Sequence, residues 1–162
     1  MKNLFETPIK NELSEERKRM ALLAIEKIKN RLSPEELELI RTIVLFGSTA
    51  KGEATEKSDL DIYVDYEIDN SKKILGALKK ITKMFDEELP DMDFSFGFGD
   101  ISLKKRTAKV IVGRSSKHPD TPSQWDILYS RNEETRKKID SELKLLSDSH
   151  GNKDLRNFES KF

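Results

Sequence analysis

Apolar positions early in the chain recur every three or four residues. Met20, Ala21, Ala24, Ile25, Ile28 and Leu32 form one stripe, which predicts a helix over residues 14–32. Ser33-Pro34-Glu35-Glu36 reads as a second helix start, with Ser33 as cap, Pro34 in the first turn and Glu36 completing a capping box; this helix should end near Arg41. The period then changes. Ile43-Val44-Leu45-Phe46 is wholly apolar and β-favouring, as buried central strands are, and it stops at Gly47. After a polar stretch over residues 48–58, Leu60, Ile62 and Val64 alternate with Asp59, Asp61, Tyr63 and Asp65, which predicts a second strand. Ser71 can cap a helix carrying Ile74, Leu75, Leu78, Ile81 and Phe85, closed by Pro90. Met92-Asp93-Phe94-Ser95-Phe96 alternates again as a third strand, with Phe94, Phe96 and Phe98 read as core. Residues 108–112 are expected as a fourth. Residues 113–122 read as a loop ending in a Thr121-Pro122 helix start. Trp125, Leu128 and Tyr129 are expected on a helix that continues through Ile139, Leu143 and Leu146.

This order of elements predicts an α/β (α+β) fold, a small mixed sheet with helices packed against it. A chain of 162 residues suffices for one domain of ordinary size, placed at 1–146, with 147–162 as a polar, flexible tail. Thirty basic and thirty acidic residues give zero formal net charge, so no bulk attraction to nucleic acid or membrane follows. The chain has no cysteine and two histidines, which excludes disulfides and thiolate zinc sites. A metal here must rest mainly on carboxylates, which suits Mg²⁺ or Mn²⁺. No apolar run approaches membrane-spanning length and the N-terminus lacks signal-peptide character, so a cytoplasmic location is expected.

The chemistry is carried by the strand–turn–strand unit. Gly47 lets the backbone turn sharply and approach a ligand, and the N–H groups after it, with the Ser48 hydroxyl, can point at phosphate oxygens. Asp59 and Asp61 lie two apart on a strand and project from one face. Two close carboxylates repel and call for a countercharge, which a divalent cation supplies. Asp93 on the third strand can add a third carboxylate, with Asp91 and Asp100 as alternatives. Three acids can hold two metals. Asp65 extends the same face and reads as a solvated strand end. Lys104-Lys105-Arg106 reads as a solvated basic turn and His118 as exposed.

The run Leu45-Phe46-Gly47-Ser48-Thr49-Ala50-Lys51-Gly52-Glu53, followed by Ser58-Asp59-Leu60-Asp61-Ile62-Tyr63-Val64, resembles the signature of the DNA polymerase β-like nucleotidyltransferase superfamily. It is most similar to the minimal branch, with its Gly-Ser-x-Ala-Arg-Gly and Ser-Asp-x-Asp pattern. The resemblance implies triphosphate binding at Gly47 and Ser48 and metal binding at Asp59 and Asp61. Asp93, between Met92 and Phe94, matches the third acid. Lys51 stands where the family usually has Arg, which keeps the charge without bidentate phosphate contact.

The reaction so implied is metal-dependent transfer of a nucleoside monophosphate, with AMP from ATP favoured, to a hydroxyl. The expected acceptor is a protein, with a helical toxin as partner and this chain as its antitoxin, as minimal members of the family imply. The alternatives are nucleotidylation of a small molecule or an RNA 3′ end, RNA being the less favoured, and a non-catalytic nucleotide-binding or partner-binding module.

Overall fold

The computed structural model describes residues 11–103 and 124–150. Helix α1 (Glu12–Arg31) is capped by Asn11, whose side-chain oxygen accepts from the Ser14 N–H at 2.8 Å. Helix α2 (Pro34–Leu39) carries the expected capping box: Glu36 N–H donates to Ser33 Oγ and Ser33 N–H to Glu36 Oε1. Strand β1 (Ile40–Phe46) follows without a loop and is buried along its whole length. Then come the short helix α3 (Gly47–Lys51), strand β2 (Leu60–Tyr66), helix α4 (Ser71–Glu88), strand β3 (Phe94–Gly99), strand β4 (Asp126–Ser130) and helix α5 (Glu133–His150). α5 thus runs through residues 147–150; residues 151–162 lie outside the described residues.

The strands form one mixed sheet in the order β3-β2-β1-β4. β1 pairs antiparallel with β2 and with β4, and β2 pairs parallel with β3. On one face Ile43, Leu45, Leu60, Ile62 and Val64 meet Ala21, Ile25 and Ile28 of α1 and Ile74, Ile81 and Phe85 of α4. Phe85 is fully buried, with its ring 5.4 Å from Phe94 and 5.8 Å from Phe96, so Phe94 and Phe96 do face this core. Phe98 stacks beyond Phe96 and is largely exposed. On the other face Val44, Phe46, Tyr63 and Ile101 meet Ile139 and Leu143 of α5. The mixed sheet flanked by helices is as the sequence predicts. No helix among the described residues is long and apolar enough to cross a membrane.

Two expectations are overturned. Trp125, Leu128 and Tyr129 do not begin a helix, because Asp126–Ser130 is the fourth strand. A spacing of four also keeps residues on one face of a regular strand, but the register shift opposite Ile43 and Val44 sends Tyr129 to the first core and Trp125 to the second. Leu128 enters the first core and Ile127 packs against the second. Asn132 separates β4 from α5 and accepts from Thr135 N–H at 2.7 Å. The expected strand over residues 108–112 lies outside the described residues, as do Lys104-Lys105-Arg106 and His118.

Asp65 is not a solvated strand end. It is wholly buried. A bulge at residues 40–42 lets Arg41 and Thr42 both reach it. Arg41 donates to both Asp65 oxygens (2.8 and 2.6 Å) and to Asp100, and Thr42 Oγ1 donates to Asp65 at 2.9 Å. The Ile101 N–H also donates to Asp65, so the network fastens the turn after β3 to the sheet. Asp100 is spent here and is no rival to Asp93.

Candidate active site

Gly47 closes β1 with φ +75, in the left-handed region, and opens α3; Gly52, at φ +80, ends it. Ser48 is half-buried in the first turn. Phe46 pairs with Asp61 across β1 and β2, which brings the glycine turn against that carboxylate. The approach is close: a Cβ added at Gly47 would lie 1.9 Å from Asp61 Oδ2.

The parallel pairing of β2 and β3 supplies the third side. Asp61 pairs with Ser95 and Leu60 with Phe94, and Leu60 N–H donates to the Asp93 carbonyl at 2.8 Å. Asp59 and Asp93 each lie one residue before their strand, next to that Leu60–Asp93 hydrogen bond. Because side chains alternate, Asp61 and Ser95 share the face opposite to Leu60, Ile62, Phe94 and Phe96. Asp91 lies in the turn before the strand, where Met92 N–H donates to the Leu89 carbonyl, outside this register.

Burial, then the Asp59 carboxylate, pushes Asp61 up to about 6; a hydrogen bond from Ser95 and the charge of Lys51 act the other way. A divalent cation would relieve both penalties, since it neutralises the pair and replaces lost solvation with coordination. Among the described residues no three acidic or histidine side chains converge into an ion-binding cluster. The candidate donor set is therefore the Asp59–Asp61 pair, and Asp93 lies one residue before β3. It is all-oxygen and anionic and fits Mg²⁺ or Mn²⁺ chemically.

Sequence reasoning missed Ser95, although it lies two residues after Asp93 on the same alternating strand. It also missed what holds residues 52–58, the connection between α3 and β2. Asn11, Ser14 and Arg17 of the α1 segment bond directly to that connection. The available signal was that Ser14 and Arg17 continue the spacing of the stripe through Ala21, Ala24 and Ile28, as polar residues on an inward face.

A family model of the nucleotidyltransferase domain matches residues 25–148. Over 53 residues the chain is 45% identical to the protein adenylyltransferase MntA of Thermococcus cleftensis, an overlap of 30% of this chain and 54% of that protein. The chain thus matches about half the length of that relative. Two crystal structures align with the chain at a TM-score of 0.46 each. One, of a protein described as a nucleotidyltransferase from Sulfolobus solfataricus, is 11% identical, covering 81% of this chain and 96% of that one. The other, a toxin–antitoxin protein with AMP-PNP, is 16% identical, covering 87% and 98%.

Proposed function

This chain belongs to the nucleotidyltransferase domain family, and from that premise we propose that it transfers AMP from ATP to a hydroxyl on a protein, with a divalent metal held by Asp59 and Asp61. The observation that carries the reading is the contact of the Gly47 turn with the Asp61 carboxylate, so close that only glycine fits. It supports the reading because it sets the turn that would bind phosphate against a carboxylate of the pair that would hold the metal.

In this reading Gly47 and Ser48 bind the triphosphate and Lys51 adds positive charge beside it. Asp59 and Asp61 would hold the metal, with Asp93 as the third acid that the family resemblance implies. A bound Mg²⁺ or Mn²⁺ supplies charge neutralisation at the phosphates and the leaving pyrophosphate. The hydroxyl oxygen forms its bond to the α-phosphorus as the bond to the β-phosphate oxygen breaks. Asp93, the third acid that the family resemblance implies, would take the hydroxyl proton in this reading. Ser95 orients Asp61 through its hydrogen bond.

The choice of AMP and of a protein acceptor is supported by the likeness to a protein adenylyltransferase. A helical toxin is the first partner to test, as the resemblance to the minimal branch implies. The test is transfer of α-phosphate label from each nucleoside triphosphate, with Mg²⁺ or Mn²⁺, into a lysate of the source cells, beside an Asp59→Ala/Asp61→Ala variant. Label from ATP on a discrete protein with wild type alone is the expected result. Label on RNA or a metabolite would move the acceptor class. Nucleotide binding with no label in any fraction would leave a non-catalytic binding module.

A further inference from the structure

The connection over residues 52–58 joins the triphosphate turn to the acidic strand, so its shape sets how those two halves face each other. It has no regular structure, and its residues 53 and 55–57 are exposed. Its bonds to itself and to α3 are short-range, such as Thr55 N–H to Ser58 Oγ at 2.9 Å and Glu53 N–H to the Ser48 carbonyl of α3 at 2.8 Å. The long-range bonds come from the start of α1. Asn11 N–H donates to the Gly52 carbonyl at 3.0 Å and Asn11 Nδ2 to the Ala54 carbonyl at 2.9 Å. Ala54 N–H donates to Ser14 Oγ at 2.9 Å. Arg17 donates from Nη1 to the Ser58 carbonyl at 2.8 Å and from Nη2 to the Glu56 carbonyl at 3.2 Å.

We propose that Asn11, Ser14 and Arg17 form a positioning device for nucleotidyl transfer, in which Arg17 fixes the peptide unit that carries Asp59 and so sets the Asp59–Asp61 pair against the Gly47 turn. The carbonyl that Arg17 holds at 2.8 Å belongs to the Ser58–Asp59 peptide bond. Its rotation is therefore coupled to the direction in which Asp59 leaves the chain. Ser14 is 1% and Arg17 7% exposed, on the inward face of a helix otherwise lined by alanine and isoleucine. A guanidinium buried there needs acceptors, and the acceptors it finds are main-chain oxygens of the connection. All three residues precede residue 25, where the family match begins, so the device lies outside the region which that match describes.

The inference rests on the proposed reaction, but its test has a part that does not. In the full-length protein, Arg17→Ala should quicken amide exchange over residues 54–60 by about tenfold, as expected for a lost hydrogen bond, with β1 unchanged. Mn²⁺ affinity, measured with a non-hydrolysable ATP analogue present, should weaken by about 10- to 100-fold, as for the loss of an outer-shell partner. Affinity for the analogue without metal should stay within about threefold, because the glycine turn is intact. Arg17→Lys should recover only part of the loss, since one ammonium does not span two carbonyls. If Arg17→Ala does not fold, Asn11→Ala and Ser14→Ala each remove part of the clamp and are read in the same way. Unchanged exchange and Mn²⁺ affinity would overturn the proposal, and so would faster exchange spread equally through β1, the mark of a merely structural role. If wild type neither transfers nor binds nucleotide, the proposed reaction fails instead, and exchange over residues 54–60 alone decides whether the clamp exists.

Discussion

Asp61 Oδ2 occupies the place where a side chain on Gly47 would begin, 1.9 Å from the position of its Cβ. Gly47→Ala should therefore act twice. It forces an L side chain to φ +75, at a cost of about 1–3 kcal/mol. It also displaces the carboxylate, and a misplacement near 1 Å should cut transfer by about 100-fold. The check is kcat at saturating nucleotide together with the urea midpoint. The double variant Gly47→Ala/Asp61→Ala should be more stable than the sum of the single losses, because the colliding oxygen is gone. Strict additivity would show that the close approach is not what requires glycine.

The raised Asp61 gives two pH dependences of opposite sense. Its ordinary value lies near about 3.9, and burial followed by Asp59 lifts it to about 6 in the folded protein. The folded state thus binds the proton more tightly than the unfolded state does. Stability should fall as pH rises from about 4 to about 6, by about 1–3 kcal/mol after allowance for partial exposure, and stay lower above that. Asp61→Asn should recover this at pH 7, seen in urea unfolding. Metal binding runs the other way, because a ligand carboxylate must be ionised. Mn²⁺ affinity should drop about tenfold per unit once pH falls below about 6. Affinity that stays flat to pH 5 would show that Asp61 is not a ligand.

Among the described residues Arg41 is the one cation that the buried Asp65 and Asp100 share. Burial alone would weaken its hold on its proton, but Asp65 first and Asp100 next outweigh that, and the guanidinium titrates above its usual range. Arg41→Met would leave two buried carboxylates without their countercharge, and should cost about 3–5 kcal/mol in urea unfolding. Arg41→Lys should recover little, since a point charge cannot replace a forked donor. Full recovery of stability in Arg41→Lys would show that charge alone, not the forked geometry, carries the effect.

The same Asp65 shows where the sequence stopped being readable. Alternation along β2 puts Asp61 and Asp65 on one face, because strand geometry is local. It does not say what that face meets. Asp61 meets a glycine turn, whereas Asp65 meets an arginine delivered by a bulge in β1, and a bulge leaves no period in the sequence. The capping box of α2 and the glycine turn were legible for the same local reason. β4 was not, because five residues with apolar side chains for both faces suit a strand and a helix start alike, and only the open edge of β1 decides between them. Arg17 was illegible as a site feature, since its partners are carbonyls about forty residues away, which any sequence supplies.

Ser95 offers the sharpest test of how β3 serves the site. It pairs with Asp61 across the parallel strands, and its hydrogen bond favours the ionised carboxylate. Removing it in Ser95→Ala leaves the two opposing influences, burial and Asp59, less checked. Asp61 should then titrate above about 6, and the loss of one hydrogen bond to a charged group corresponds to a shift of about one unit. Carboxyl ¹³C NMR of the isotope-labelled protein would read this directly. The acidic limb of the transfer rate should move upward by the same amount. At pH 7 the variant would be slower, while near pH 8.5 it should approach wild type, because there both hold Asp61 ionised. Ser95→Thr keeps the hydroxyl and should keep the wild-type profile. A deficit in Ser95→Ala that persists unchanged at pH 8.5 would mean that Ser95 acts on something other than the Asp61 charge, such as the orientation of the acceptor hydroxyl.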